Sequence, residues 1–91
     1  MSVLVKIPTQ LRSAAEGVSQ AEVEGGTVQE VLDGLFDQFA ELRARIADDD
    51  GSLRRFVNVY LAGEDIRFLD GVDTPVTDGA EITILPAVAG G

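Results

Sequence analysis

The chain contains no cysteine, no histidine and no tryptophan among its 91 residues. The absence of cysteine excludes disulfides, thiolate metal ligands, iron–sulfur clusters and a cysteine nucleophile. The absence of histidine removes the usual proton shuttle and the commonest metal ligand. The side chains therefore offer little chemistry of their own, and we expect no metal site and no bound cofactor.

Basic residues are also scarce. Seven Lys and Arg stand against sixteen Asp and Glu, which gives a formal net charge of −9. This charge repels phosphate backbones and anionic lipid, so we expect neither a nucleic acid nor a membrane as partner. It favours association with a basic protein surface, although the same acidity is also explained by solubility alone.

Long apolar runs are absent as well. No stretch approaches the ~20 residues that span a bilayer, and the N-terminal Met-Ser-Val-Leu-Val-Lys lacks the pattern of a secretory signal. We therefore expect a cytoplasmic protein. A length of 91 residues with 45% hydrophobic content fits one small domain with one core.

The first third of the chain reads as a β-hairpin. Val3, Val5 and Ile7 alternate with other residues, which predicts a strand whose odd positions face the core. A loop through residues 16–17 leads to a second alternating segment at residues 19–23. These two segments are predicted to pair as an antiparallel hairpin.

A helix is predicted to begin at Val28. Thr27 and Glu30 match a capping box, in which two side chains satisfy free backbone donors at the helix start. The apolar residues that follow have helical spacing and form one stripe: Val28, Val31, Leu32, Leu35, Phe36 and Phe39. Gly34 interrupts this helix and suggests close packing against the sheet.

The helical pattern continues more weakly through Leu42 and Ile46 and ends at the run Asp-Asp-Asp-Gly, residues 48–51. These three carboxylates lack the alternating spacing of a calcium loop, so a solvated loop is the better interpretation. The adjacent pair Arg54 and Arg55 is expected on a solvated face, with an acidic partner patch as the alternative.

Two further strands are predicted in the last third. Residues 56–61 form the first, with Val57, Val59 and Leu61 on one face; a turn at 62–65 leads to a short extended piece at 66–68. Asp78-Gly79 supplies the last turn, and residues 81–85 form a final strand that Pro86 ends. The aromatic residues of this region are expected to pack in the core or hairpin rather than on a partner: Phe56, Tyr60 and Phe68.

The order of hairpin, helix, strand pair and final strand predicts an α+β domain. One main helix crosses one face of a mixed sheet, in which the first and last strands lie parallel at the centre. This is the β-grasp, or ubiquitin-like, fold. We predict that the domain spans residues 1–85 and that residues 86–91 form a flexible tail.

The tail, Pro86-Ala87-Val88-Ala89-Gly90-Gly91, has neither periodicity nor a heavy anchoring residue. Its six residues reach about 20 Å when extended, enough to enter a channel in another protein. Glycine suits such a channel because it has no Cβ and adopts many backbone angles. The terminal carboxylate of Gly91 is thus the candidate reacting group.

The chain resembles the bacterial sulfur carriers of the MoaD/ThiS family over essentially its whole length. The resemblance is strongest in residues 55–60, 64–68 and 84–91, which are most similar to the actinobacterial branch that serves cysteine biosynthesis. It implies that the protein is not itself an enzyme.

The resemblance also implies a reaction cycle on partner enzymes. An adenylating enzyme of the ubiquitin-activating type would use ATP to join the Gly91 carboxylate to AMP and then replace AMP by sulfur, which leaves a thiocarboxylate. The chain has no glycine-rich phosphate loop for ATP, so this chemistry must lie on a partner. Gly90, Ala89 and Val88 would fit the tail into the partner's active site.

Two further partners follow from the same branch: a pyridoxal-phosphate-dependent cysteine synthase and a metal-dependent peptidase that releases the cysteine. Three other interpretations stay open. The chain could be the small subunit of molybdopterin synthase, a ubiquitin-like tag for lysines of other proteins, or a binding domain with a loose end. Its only lysine is Lys6, so chains built on itself are poorly supported.

Overall fold

The computed structural model describes residues 2–48, 53 and 57–86. Within these residues the strands are β1 Ser2–Lys6, β2 Gln20–Glu24, β3 Val57–Leu61, β4 Glu64–Asp65 and β5 Glu81–Pro86. The α-helices are α1 Val28–Gln38 and α2 Ala40–Ile46. Short 3₁₀ segments cover Thr9–Ala15, Ile66–Phe68 and Gly71–Asp73.

The strands form one mixed sheet in the order β2-β1-β5-β3-β4. β1 and β5 are parallel neighbours, with Val5 opposite Ile82, and the other pairings are antiparallel. A parallel pair needs a long crossover, which the helices and the β3–β4 hairpin supply here. The predicted β-grasp topology, with the first and last strands together at the centre, is confirmed.

The core lies between one face of this sheet and α1. Val3, Val5, Ile82 and Ile84 are fully buried, as the period-two alternation of their strands predicts. The predicted apolar stripe of α1 packs on these residues. Its buried members are Val28, Val31, Leu32 and Leu35, and its partly buried members are Phe36 and Phe39.

The predicted start of α1 is confirmed, with one difference in its cap. The Oγ1 of Thr27 accepts a hydrogen bond from the backbone N–H of Glu30 at 3.2 Å. The Oε1 of Glu30 accepts from the N–H of Gly26 at 2.8 Å, one residue before the position that a standard capping box uses. Both side chains still satisfy backbone donors at the helix start.

The expectation of one helix prolonged through Leu42 and Ile46 is wrong in one respect. Phe39, with φ −134° and ψ 85°, separates α1 from α2. A straight helix over residues 28–46 would be about 28 Å long, and the molecule measures 32 × 27 × 24 Å. The break allows α2 to pack on Thr9–Ala15 and to bury Leu42 and Ile46 completely.

Two other local predictions need correction. Thr9–Ala15, expected as loop, is a 3₁₀ segment that buries Leu11, Ala14 and Ala15 and ends at the turn of residues 16–17. Ile66–Phe68, expected as extended, is also 3₁₀, because the Oδ1 of Asp65 caps it by accepting from the N–H of Arg67 at 2.9 Å.

Strands β1, β2 and β5 follow the sequence within one residue, but Glu64 and Asp65, predicted as part of the turn after β3, form strand β4 because they pair with Leu61 and Tyr60. β2 runs one residue later than predicted, and β5 includes Pro86. The predicted turn after β3 is a two-residue hairpin turn, with positive φ at Ala62 (52°) and Gly63 (87°).

Candidate functional site

The predicted site residues Val88, Ala89, Gly90 and Gly91 lie outside the described residues, as do Arg54, Arg55 and Phe56. The loop at 48–51, which was predicted to hold no metal, is described only at Asp48. The division into a domain at 1–85 and a tail at 86–91 also stays a prediction. What the structure does describe is the point from which the tail leaves.

The tail leaves from the end of the most central strand. β5 pairs with β1 on one side and β3 on the other, and its last residue, Pro86, lies opposite Val57. Ile82 and Ile84 of β5 are fully buried. Residues 87–91 therefore follow a strand that is anchored in the core at Ile82 and Ile84 and that still pairs with β3 at Pro86.

The face of the sheet opposite α1 carries polar and half-exposed side chains near this point. Leu85 lies opposite Asn58, and Thr83 lies opposite Tyr60. Paired residues point to the same face, and these four positions alternate with the buried ones. Leu85 is 44% exposed, although it is a large apolar residue.

Arg67 is held against this face by two neighbours. Its Nε and Nη2 donate to the carboxylate of Asp65 at 3.2 Å and 2.7 Å, and its Nη2 also donates to Oδ1 of Asn58 at 2.6 Å. Hydrogen bonds from the side chain and backbone of Arg67 lower the pKa of the Asp65 carboxyl below 3.8, against the opposing effect of burial. The Asp65 carboxylate correspondingly raises the pKa of Arg67.

Sequence reasoning missed this cluster of Asp65, Arg67 and Asn58. The available signal was the Asp-x-Arg spacing, in which an aspartate can accept from the N–H two residues later. The bond from Arg67 to Asn58, nine positions away, depends on how the chain returns alongside β3.

The interpretation of Phe68 as a packed residue is wrong, because Phe68 is 85% exposed. It follows Arg67 directly and ends the 3₁₀ segment whose first residue, Ile66, is buried. Burying Ile66 turns the opposite side of this short segment, and Phe68 with it, toward solvent. Tyr60 is partly buried on the face opposite α1.

A groove of about 330 Å³ lies beside the end of β5 and is also lined by residues at the end of β1 and the start of β2. It contains two cationic side chains that other groups already contact. Lys6 Nζ lies 3.5 Å from Glu81 Oε1, and Arg12 Nε donates to the carbonyl of Ile7 at 3.2 Å. Each of these two side chains therefore makes one contact within the described part of the chain.

No group of three or more acidic side chains within the described residues is arranged to hold a metal ion. The same part of the chain contains no helix with the length and apolar character needed to cross a bilayer. The expected absence of a metal site and the cytoplasmic location remain predictions.

Comparison with known proteins identifies the family. The family model described as "ThiS family" matches residues 5–91. The sulfur carrier protein CysO of Mycobacterium tuberculosis (strain ATCC 25618 / H37Rv) is 42% identical over 93 aligned positions, which cover all of both chains.

Solved structures agree with this match. The crystal structure of the Amycolatopsis orientalis BexX/CysO complex contains a chain that is 45% identical, with a TM-score of 0.89 and coverage of 98% of this chain and 99% of that one. The small archaeal modifier protein 1 of Methanosarcina acetivorans is 35% identical, with a TM-score of 0.86 over 99% and 96% of the two chains. The chain therefore belongs to the ThiS family of ubiquitin-like sulfur carriers.

Proposed function

We propose that the chain carries sulfur as a thiocarboxylate on Gly91 and delivers it in the biosynthesis of cysteine. A partner enzyme of the ubiquitin-activating type would first join the Gly91 carboxylate to AMP, because a carboxylate is a poor electrophile until it is activated. Sulfur then replaces AMP. The observation that carries the proposal is the match to a sulfur carrier called CysO across the full length of both chains.

The fold supports this function through the start of the tail. β5 is fixed between two strands and leads directly into the residues that end in Gly90-Gly91. A tail that starts from a fixed point can be inserted into a partner's channel while the domain stays outside. Val88, Ala89 and Gly90 would lie inside this channel, and Gly91 would reach the reacting groups of the partner.

The acceptor side of the cycle would use two partners. A pyridoxal-phosphate-dependent cysteine synthase would present an aminoacrylate to the thiocarboxylate sulfur, and a metal-dependent peptidase would release the cysteine. A carrier called CysO was solved in a complex with a second protein, BexX. This supports the view that carriers of this type work by docking on a partner.

A second candidate function is conjugation to proteins. It is favoured by the similarity to a protein named as a small archaeal modifier, which is 35% identical. Conjugation would start with the same adenylation of Gly91 and would end in an isopeptide bond to a lysine. The small subunit of molybdopterin synthase remains a third possibility with the same chemistry at Gly91.

Intact mass spectrometry tests the proposal. The chain, incubated with its purified adenylating enzyme, ATP and a sulfide source, should gain about 16 Da by exchange of oxygen for sulfur. A chain without Gly91, and a chain extended by one alanine, should show no gain. No gain in the unmodified chain under full activation would contradict the carrier role.

The acceptor is tested in a second step. Added cysteine synthase and its amino-acid substrate should convert the thiocarboxylate into a chain that is heavier than the original carboxylate form by one cysteine residue. Transfer to a pterin precursor, or Gly-Gly remnants on lysines of other proteins, would instead support the two alternatives.

A further inference from the structure

The groove at the end of β5 lies directly beside the point where the tail starts. Leu85, which lines the groove, precedes Pro86, and the tail continues from there. β1 and β5 run parallel, with Lys6 opposite Thr83, so both strands end at the same edge of the sheet. The wall across from β5 is formed by residues that end β1 or follow it: Lys6, Ile7, Pro8, Arg12, Ser19 and Gln20.

Arg12 offers unused donors at this groove. Its Nε donates to the carbonyl oxygen of Ile7 at 3.2 Å, which holds the guanidinium group beside the end of β1. A guanidinium group has five N–H donors, and the two Nη groups of Arg12 donate to no residue in the described ranges. A carboxylate can accept two parallel hydrogen bonds from such a pair of donors.

Lys6 adds a second positive charge to the groove. Its Nζ lies 3.5 Å from Oε1 of Glu81, and its side chain is 50% exposed. This distance is longer than the ~2.7–2.9 Å of a charge-assisted hydrogen bond, so the ammonium group still has donors to offer. Among the described residues that line the groove there is no Asp or Glu. In a chain with sixteen acidic residues and seven basic ones, the groove therefore suits an anion.

The tail brings one anion within reach of this groove. Its side chains carry no charge, so its charge is the terminal carboxylate of Gly91. Residues 87–91 extend at most about 17 Å. Pro86 lies two residues beyond Ile84, about 7 Å along the strand, and neighbouring strands lie about 4.8 Å apart, so the carboxylate can return to Arg12. Tethering through so short a segment gives it an effective concentration in the millimolar range.

We propose that Arg12 and Lys6 form a carboxylate-binding site and that the Gly91 carboxylate of the same chain occupies it between reactions. This inference rests on the proposed function, which takes Gly91 as a free terminus. A thiocarboxylate carries the same single negative charge and would occupy the same site. Exposed ion pairs are weak, so the channel of a partner can draw the terminus away. The site adds a resting position for the reacting group.

Nuclear magnetic resonance tests the site without any partner enzyme. Proton–nitrogen spectra are compared for the unmodified chain and for a chain whose Gly91 carboxylate is converted into an amide, which removes the charge and keeps the length. The backbone amide signals of Ser19, Gln20 and Thr83 should shift, because these residues line the groove. The Nε–H signal of Arg12 should shift with them.

Two variants locate the cause of this response. In an Arg12→Gln background, amidation should no longer move the signals of the groove. Arg43→Gln is the matched control, because it removes the same charge from an exposed arginine that lines a different groove, with Asp33 and Asp37; it should keep the full response. The dispersion of the remaining signals verifies that each variant is folded.

The absence of any shift on amidation of the unmodified chain would overturn the proposal, as would a response that persists in full after Arg12→Gln. Shifts caused by added acetate but not by amidation would show that the groove takes free carboxylates instead of the terminus, which also overturns it. If amidation moves the signals but no 16 Da gain ever forms, the site stands and the carrier chemistry fails. If the gain forms without these shifts, the carrier chemistry stands and the site fails.

Discussion

Gly34 of α1 packs directly on Val23 of β2. A Cβ on Gly34 would lie 2.7 Å from Cγ1 of Val23 and 3.6 Å from the carbonyl oxygen of Glu24. Val23 is 3% exposed, so its side chain has little room to move. The glycine therefore allows the helix to approach β2 closely, as its position within the helix suggested.

Gly34→Ala should lower the free energy of unfolding by about 1 kcal/mol. Alanine gains about 1 kcal/mol in helix propensity, but overpacking the contact with Val23 costs about 1–3 kcal/mol. Urea unfolding monitored by circular dichroism measures the net effect. In a Val23→Ala background the steric cost disappears, and the same substitution should become stabilising. Equal effects in both backgrounds would show that no conflict exists.

Gly25→Ala should be more damaging than Gly34→Ala. Its Cβ would lie 2.8 Å from the backbone nitrogen of Val31, in the first turn of α1, and a backbone atom cannot move aside without displacing the helix. We expect a loss of about 2 kcal/mol or more. Gly26→Ala is the matched control, because its Cβ would meet only the flexible carboxylate of Glu30 at 3.4 Å. A comparable loss in both variants would contradict this account.

Thr27→Ala should destabilise the domain by about 1 kcal/mol, since it removes the hydroxyl that accepts from the N–H of Glu30 at 3.2 Å. Thr27→Ser retains the acceptor and should recover most of this loss. The measurement is again urea unfolding of the three proteins side by side. An unchanged midpoint for the alanine variant would mean that the cap contributes nothing.

The ion pair of Asp65 and Arg67 should make stability depend on pH in the acid range. The pKa of Asp65 is lowered in the folded protein, so its contribution is fully present above the ordinary value of 3.8 and is lost as the pH falls through the lower, folded value. Asp65→Asn should therefore differ most from the unmodified chain near neutral pH.

Unfolding midpoints measured between pH ~7 and pH ~2.5 should show the difference for Asp65→Asn shrinking as the acid range is entered. Arg67→Gln removes the other half of the pair and should give the same trend. A difference that stays constant down to the lowest pH would exclude the ion pair as its cause.

Much of the fold was predictable because the deciding interactions are local. The alternation in β1 and β5 depends only on the two-residue period of a strand, and it placed Val3, Val5, Ile82 and Ile84 in the core. The start of α1 depends on a hydroxyl three residues from the donor that it caps. The boundaries of β2 and β5 differ from the predicted ones by only one residue.

The break at Phe39 and the 3₁₀ segment Thr9–Ala15 could not be predicted in this way. The apolar spacing from α1 to Ile46 is nearly continuous, and only the need to bury Leu42 and Ile46 against Thr9–Ala15 divides it. That need arises from packing between segments far apart in sequence.

By itself, the sequence limited the side-chain chemistry of this protein, because it contains no cysteine and no histidine. It also determined the β-grasp topology through its strand and helix periods. Only the tertiary structure decided that Arg67 also donates to Asn58 and that Phe68 is exposed. These features depend on the register of β3 against β5 and on the return of the chain alongside β3, which no local pattern encodes.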